Sequence, residues 1–65
     1  MTTTRKNSRL FGESEAANRG CPFKRGEGRV SKDRTVWLNR YESEDGSKVI
    51  FLGWDNERQR WVVEE

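Results

Sequence analysis

Sixty-five residues make one domain at most, and a chain this short buries only about 60% of its unfolded surface. Hydrophobic residues are 31% and charged residues 37%, the formal net charge is +2, and there is one cysteine and no histidine. That composition excludes an internal disulfide and a four-ligand Cys/His zinc site, and it removes the commonest general base.

Residues 1 to 9 carry Arg5, Lys6 and Arg9 with no acid. This threonine-rich stretch lacks the apolar core of a secretory signal, and the longest uninterrupted apolar run, Val49 to Leu52, is far too short for a membrane span. A cytoplasmic location is expected, and the single thiol suits a reducing compartment.

Residues 8 to 19 hold the only helix candidate. Ser8 or Ser14 suits the N-cap, Glu13 and Glu15 suit a first turn, and Gly20 suits the close. Leu10 and Phe11 are the expected anchors to the rest of the fold. Residues 20 to 34 read as loop, punctuated by Pro22 and three glycines, with Phe23 expected to plug a sheet. Lys24, Arg25, Arg29, Lys32 and Arg34 make this loop basic. Gly26-Glu27-Gly28 is not a phosphate loop, because the following glycine, lysine and hydroxyl are absent and no strand precedes it.

Residues 35 to 65 carry the architecture. Branched and aromatic side chains, which pack well on a pleated surface, fill three runs. The predicted fold is small and mainly β, or α+β: a three-stranded antiparallel meander over about 35–42, 48–54 and 58–64. Residues 1–34 form a basic, largely irregular arm and loop segment, and 35–65 form the sheet. Asp45-Gly46 is a strong hairpin signal, since a two-residue turn of the right twist needs positive φ at both centres. That centre pairs Tyr41 with Ile50, Asn39 with Leu52 and Trp37 with Trp54. A short second loop is expected to pair Trp54 with Gln59, Leu52 with Trp61 and Ile50 with Val63.

Opposed residues share a sheet face. One face then holds Trp37, Tyr41, Ile50, Leu52, Trp54, Trp61 and Val63, and the other holds Val36, Leu38, Arg40, Val49, Phe51, Gly53, Arg60 and Val62. A one-residue slip in the second loop would move Trp61 across. The aromatic face is either core or, in part, a binding platform.

Charge is unevenly divided. Residues 1–34 hold nine basic and four acidic residues, a net of +5, and residues 35–65 hold four basic and seven acidic, a net of −3. A basic tail folding back on the acidic rim of its own sheet would explain the split without any ligand.

The chemistry expected is non-enzymatic. Glu44-Asp45 and Glu64-Glu65 are adjacent pairs at a turn and a terminus, which do not converge on a substrate, and Cys21 has no histidine partner. No cofactor is implied. The expected function is a small protein-binding module: an inhibitor, adaptor or accessory subunit of the kind mobile genetic elements encode. It would dock a protein or larger assembly through Trp37, Tyr41, Trp54 and Trp61, with Arg5, Lys6, Arg9, Lys24, Arg25, Arg29, Lys32 and Arg34 as an electrostatic arm. Strands 35–41 and 59–63, read as edges, offer strand addition, and self-association is open on the same grounds. The competing reading is nucleic-acid binding, with the arm on DNA or RNA phosphates and the aromatics stacked on bases.

Overall fold

The computed structural model describes residues 12–65. The expectations for Arg5, Lys6 and Arg9, for a Ser8 cap and for Leu10 and Phe11 as anchors lie outside the described residues. A helix, α1, covers residues 12–18 of the described chain. Five strands follow: β1 (Phe23–Lys24), β2 (Arg29–Val30), β3 (Trp37–Glu42), β4 (Val49–Asp55) and β5 (Arg60–Glu64). All pairings are antiparallel, in the order β1-β3-β4-β5, with β2 also pairing β3.

The helix ends as its sequence predicts. Gly20 takes φ 89°, its N–H donates to Ala17 O at 2.9 Å, and Cys21 N–H donates to Ala16 O at 2.9 Å. This is a Schellman close, with glycine at the left-handed position. The same turn tucks Ala16 and Cys21 together into the core, and Lys48 Nζ donates to the freed Arg19 carbonyl at 3.2 Å.

The expected meander is present, and its first hairpin keeps the expected register: Tyr41 faces Ile50 and Asn39 faces Leu52. Its turn differs. Only Gly46 has positive φ, at 77°. Asp45 instead uses its side chain, whose Oδ1 accepts from Ser47 N at 3.0 Å, Ser47 Oγ at 2.7 Å and Ser43 Oγ at 2.8 Å. Ser43 N–H still donates to Lys48 O at 2.9 Å, so the loop is four residues around the same centre and the register survives.

The second hairpin is displaced by two residues. Trp54 faces Trp61 rather than Gln59, and Leu52 faces Val63 rather than Trp61. The cause is Asp55. Its Oδ1 accepts from Glu57 N at 2.9 Å and Arg58 N at 3.1 Å, which makes Asp55 the first residue of the turn and moves the loop one position along. Gln59 closes it with φ 54°. A shift of two preserves parity, so Trp54 and Trp61 remain on the face of Ile50 and Leu52.

The segment expected as loop supplies two short strands. β1 and β2 both pair with β3, so β3 is not an edge; among the described residues β5 is. Phe23 does not plug the sheet. It is 39% exposed, with the Arg25 guanidinium 5.1 Å from its ring centre.

The core sits between α1 and one sheet face. Ala16, Cys21, Tyr41, Ile50 and Leu52 form it, with Trp61 and Val63 packed at its side. Burial pushes the Tyr41 phenol above its ordinary pKa, opposed by the Asn39 side chain and reinforced by Glu13. On the other face, Leu38 and Val36 are buried outside that cluster, and Arg29 lies 4.5 Å over the Phe51 ring. Among the described residues, no helix is long and apolar enough to cross a membrane.

Candidate functional site

The exposed apolar surface concentrates at the start of β3. Trp37 is 60% exposed, and Val30, directly opposite it across the β2–β3 pair, is 41% exposed. Two apolar side chains on one side of a strand pair, both open to water, form a patch that burial would reward.

The main chain beneath Trp37 is held from two sides. A Cβ added at Gly53 would collide with the Trp37 carbonyl oxygen, and one added at Gly28 would collide with the Leu38 carbonyl oxygen. A Gly28 Cβ would also stand 3.0 Å from Cζ2 of the Trp37 indole. β3 therefore bends over β4 at Gly53 while β2 presses on it at Gly28, and only glycine permits either approach. Trp37 pairs with Val30 on the β2 side, and the β3–β4 register runs from Asn39 with Leu52 to Glu42 with Val49, without the expected Trp37–Trp54 pair. The indole is fixed as well: its Nε1–H donates to Asn39 Oδ1 at 3.2 Å.

A shallow cleft of about 470 Å³ opens beside this residue, lined by Thr35, Val36, Trp37, Trp54, Asp55, Asn56 and Glu57. Trp54 forms its far wall and is itself braced by Trp61, edge to face, with ring centres 5.1 Å apart and an interplanar angle of 73°. Asp55 forms the floor of the β4–β5 turn. Hydrogen bonds from the Arg58 backbone N–H, and then from its guanidinium at 3.1 Å and from Glu57 N–H, hold its carboxyl below the usual range against the cost of burial. Among the described residues no basic side chain lines the cleft, and Glu57 on its rim is exposed.

The four predicted aromatic contacts therefore separate. Trp37 and Trp54 share the cleft, Trp61 stands behind Trp54, and Tyr41, 2% exposed, belongs to the core. Tyr41 cannot touch a partner without unfolding. Parity along the strands could not separate them, because Trp37 and Tyr41 have the same parity and differ only in what covers them.

The basic residues of 24–34 separate too. Arg29 Nη1 lies 2.7 Å from Glu64 Oε1, and Glu64 Oε2 accepts from the backbone N–H of Lys32 at 2.9 Å. That N–H, ahead of Arg29, holds the Glu64 carboxyl below its ordinary range despite its burial. Arg25 faces Glu42 at 3.8 Å, and Glu42 also pairs with Arg40. Arg29 is thus engaged by the acidic sheet and Arg25 lies near it with its side chain largely exposed, whereas the Lys24, Lys32 and Arg34 side chains have no ion pair among the described residues and are exposed.

Sequence reasoning missed Val30, Gly28, Gly53 and Asp55. The two glycines were visible as glycines, but the close approaches that require them are long-range. Among the described residues, no group of three or more His, Cys, Asp or Glu side chains is placed to hold a metal ion. Comparison of the chain with protein-family models, with curated proteins and with solved structures gives no match.

Proposed function

We propose that the protein is a small non-enzymatic binding module whose contact surface is Trp37, Val30 and the adjoining cleft to Trp54. The observation that carries this reading is the exposure of Trp37 on a main chain clamped by Gly28 and Gly53. An exposed indole that is already ordered loses little conformational entropy on docking, and tryptophan is enriched among residues that dominate binding energy. An inhibitor, adaptor or accessory-subunit role, in the cytoplasm, is the expected setting.

The partner class favoured is protein over nucleic acid. A cleft lined by Asp55 and Glu57, with no basic lining residue among the described residues, offers a phosphate backbone no counter-charge. The pairing of Arg29 with Glu64 weakens the phosphate-tracking alternative further.

The test compares the wild-type chain with Trp37→Ala. Both should melt alike, since an exposed side chain contributes little to the core. Nuclease-treated lysate should yield a specific protein partner on the wild type and lose it on the variant. Retention of that partner by Trp37→Ala would move the contact elsewhere. Salt-sensitive quenching of the wild-type tryptophans by single-stranded or duplex nucleic acid, abolished by Trp37→Ala, would replace the protein reading with the nucleic-acid one.

A further inference from the structure

We propose that β5 is a homodimerisation strand, pairing antiparallel with β5 of a second copy about a two-fold axis at Val62. This surface is separate from the Trp37 cleft and does not depend on it.

The two edges of the sheet are treated differently. The β1/β2 edge is broken into two strands of two residues, separated by a stretch holding Gly26 and Gly28. Short, interrupted edges resist pairing with another chain. β5 is five continuous residues, Arg60-Trp61-Val62-Val63-Glu64, and pairs only with β4 among the described residues. It carries no proline or lysine to blunt it, and valine and tryptophan fill its middle.

The occupant is identified by the order of these residues. Antiparallel pairing about Val62 sets Arg60 against Glu64 of the second copy at both ends, Trp61 against its Val63 on the core side, and Val62 against its Val62. Opposite charges directly across a strand pair are favourable and like charges are not. The strand is therefore complementary to itself in one register. A parallel arrangement in register would instead place Arg60 beside Arg60 and Glu64 beside Glu64. Arg60 is exposed and makes no ion pair among the described residues, so it is available. Glu64 Oε1 is buried beside Arg29, and Oε2, which accepts the Lys32 N–H, has a second lone pair for a further guanidinium.

Packing points the same way. Trp61 and Val63 are only half-buried at the side of the core. In the dimer each copy's Trp61 lies against the other's Val63, continuing the apolar layer across the two-fold. Chains of this size commonly need such reinforcement, because one small core supplies little stability.

The test is sedimentation of the full chain over a range of concentrations. The wild type should associate to a dimer. Arg60→Glu and Glu64→Arg should each be monomeric, because each sets like charges at both ends of the pairing. Their equimolar mixture should regain a dimer, since every cross pair is then opposite in charge. As Glu64→Arg also removes the partner of Arg29, a second measurement uses Val62→Cys. Mild oxidation should link this variant through the two-fold, whereas Ser47→Cys in the distant turn should stay monomeric; Cys21 is fully buried and does not compete. A wild type that is monomeric at every concentration overturns the proposal. So does a dimer that survives Arg60→Glu unchanged, or a Val62→Cys variant that crosslinks no better than Ser47→Cys.

Discussion

Arg34 and Gly46 occupy the same left-handed position, φ 64° and 77°, in two turns built alike twelve residues apart. In the first, Ser31 N–H donates to Val36 O, Arg34 N–H to Ser31 O, and Val36 N–H to Ser31 Oγ. In the second, Ser43 N–H donates to Lys48 O, Gly46 N–H to Ser43 O, and Lys48 N–H to Ser43 Oγ. Asp33 gathers Ser31 Oγ, Thr35 N and Thr35 Oγ1 as Asp45 gathers Ser43 Oγ, Ser47 N and Ser47 Oγ. The shared pattern is Ser-x-Asp-x-Ser/Thr. Each hairpin loop is closed by side chains that replace the backbone donors and acceptors a tighter turn would satisfy.

The two turns differ at one position, and that difference is measurable. A side chain at positive φ costs roughly 1–2 kcal/mol, offset in part by the greater unfolded-state freedom of glycine. Arg34→Gly should therefore raise stability by about 0.5 kcal/mol, while Gly46→Ala should lower it by about 1 kcal/mol. Urea denaturation reads both. Equal and negligible effects would mean that the serine and aspartate hydrogen bonds alone set these turns.

The aspartates of the same turns predict an acid response. The hydroxyl of Ser31, then that of Thr35 and its N–H, hold the Asp33 carboxyl at about 2. The N–H of Ser47, then the hydroxyls of Ser47 and Ser43, hold Asp45 at about 2. Both lie below the unfolded value of about 3.9, so their stabilisation is complete above that value and is lost as pH falls through the folded one. Melting temperature should drop between about pH 4 and pH 2, and Asp33→Asn/Asp45→Asn should flatten that drop. Asp55 and Glu64 also titrate low but remain in both proteins, so the comparison isolates the turns. An identical pH profile for the variant would count against the turn carboxylates as its source.

The glycine clamp under Trp37 predicts the largest single effect. Gly53→Ala pushes a methyl group into the Trp37 carbonyl, which is main chain and cannot swing aside. Overpacking of this kind costs about 2 kcal/mol or more. Gly28→Ala should additionally displace the Trp37 indole that rests on it, seen as a change in tryptophan emission. An unchanged urea midpoint for Gly53→Ala would show that β3 does not bend over β4 as described.

Much of this protein is determined locally and was legible in its residues. Strand-forming runs, the centre of the Asp45-Gly46 turn and the Gly20 helix close each depend on neighbours in sequence, and all three are found. The face shared by Trp54, Trp61, Leu52 and Ile50 was legible for a related reason: parity survives a two-residue shift. That shift itself was not legible. It follows from the Asp55 carboxylate capping its own turn, and an aspartate there is equally compatible with a loop starting one residue earlier.

What tertiary structure alone decided is which aromatic faces water. Trp37 and Tyr41 alternate onto the same side of β3, yet α1 and Cys21 cover Tyr41 while Trp37, whose main chain lies against Gly53, stays open. Likewise, Arg25 and Arg29 read as free cations until the chain returns to Glu42 and Glu64. Burial and ion pairing between distant segments are properties of the folded arrangement, set by contacts across 17 to 35 positions, and no local pattern encodes them.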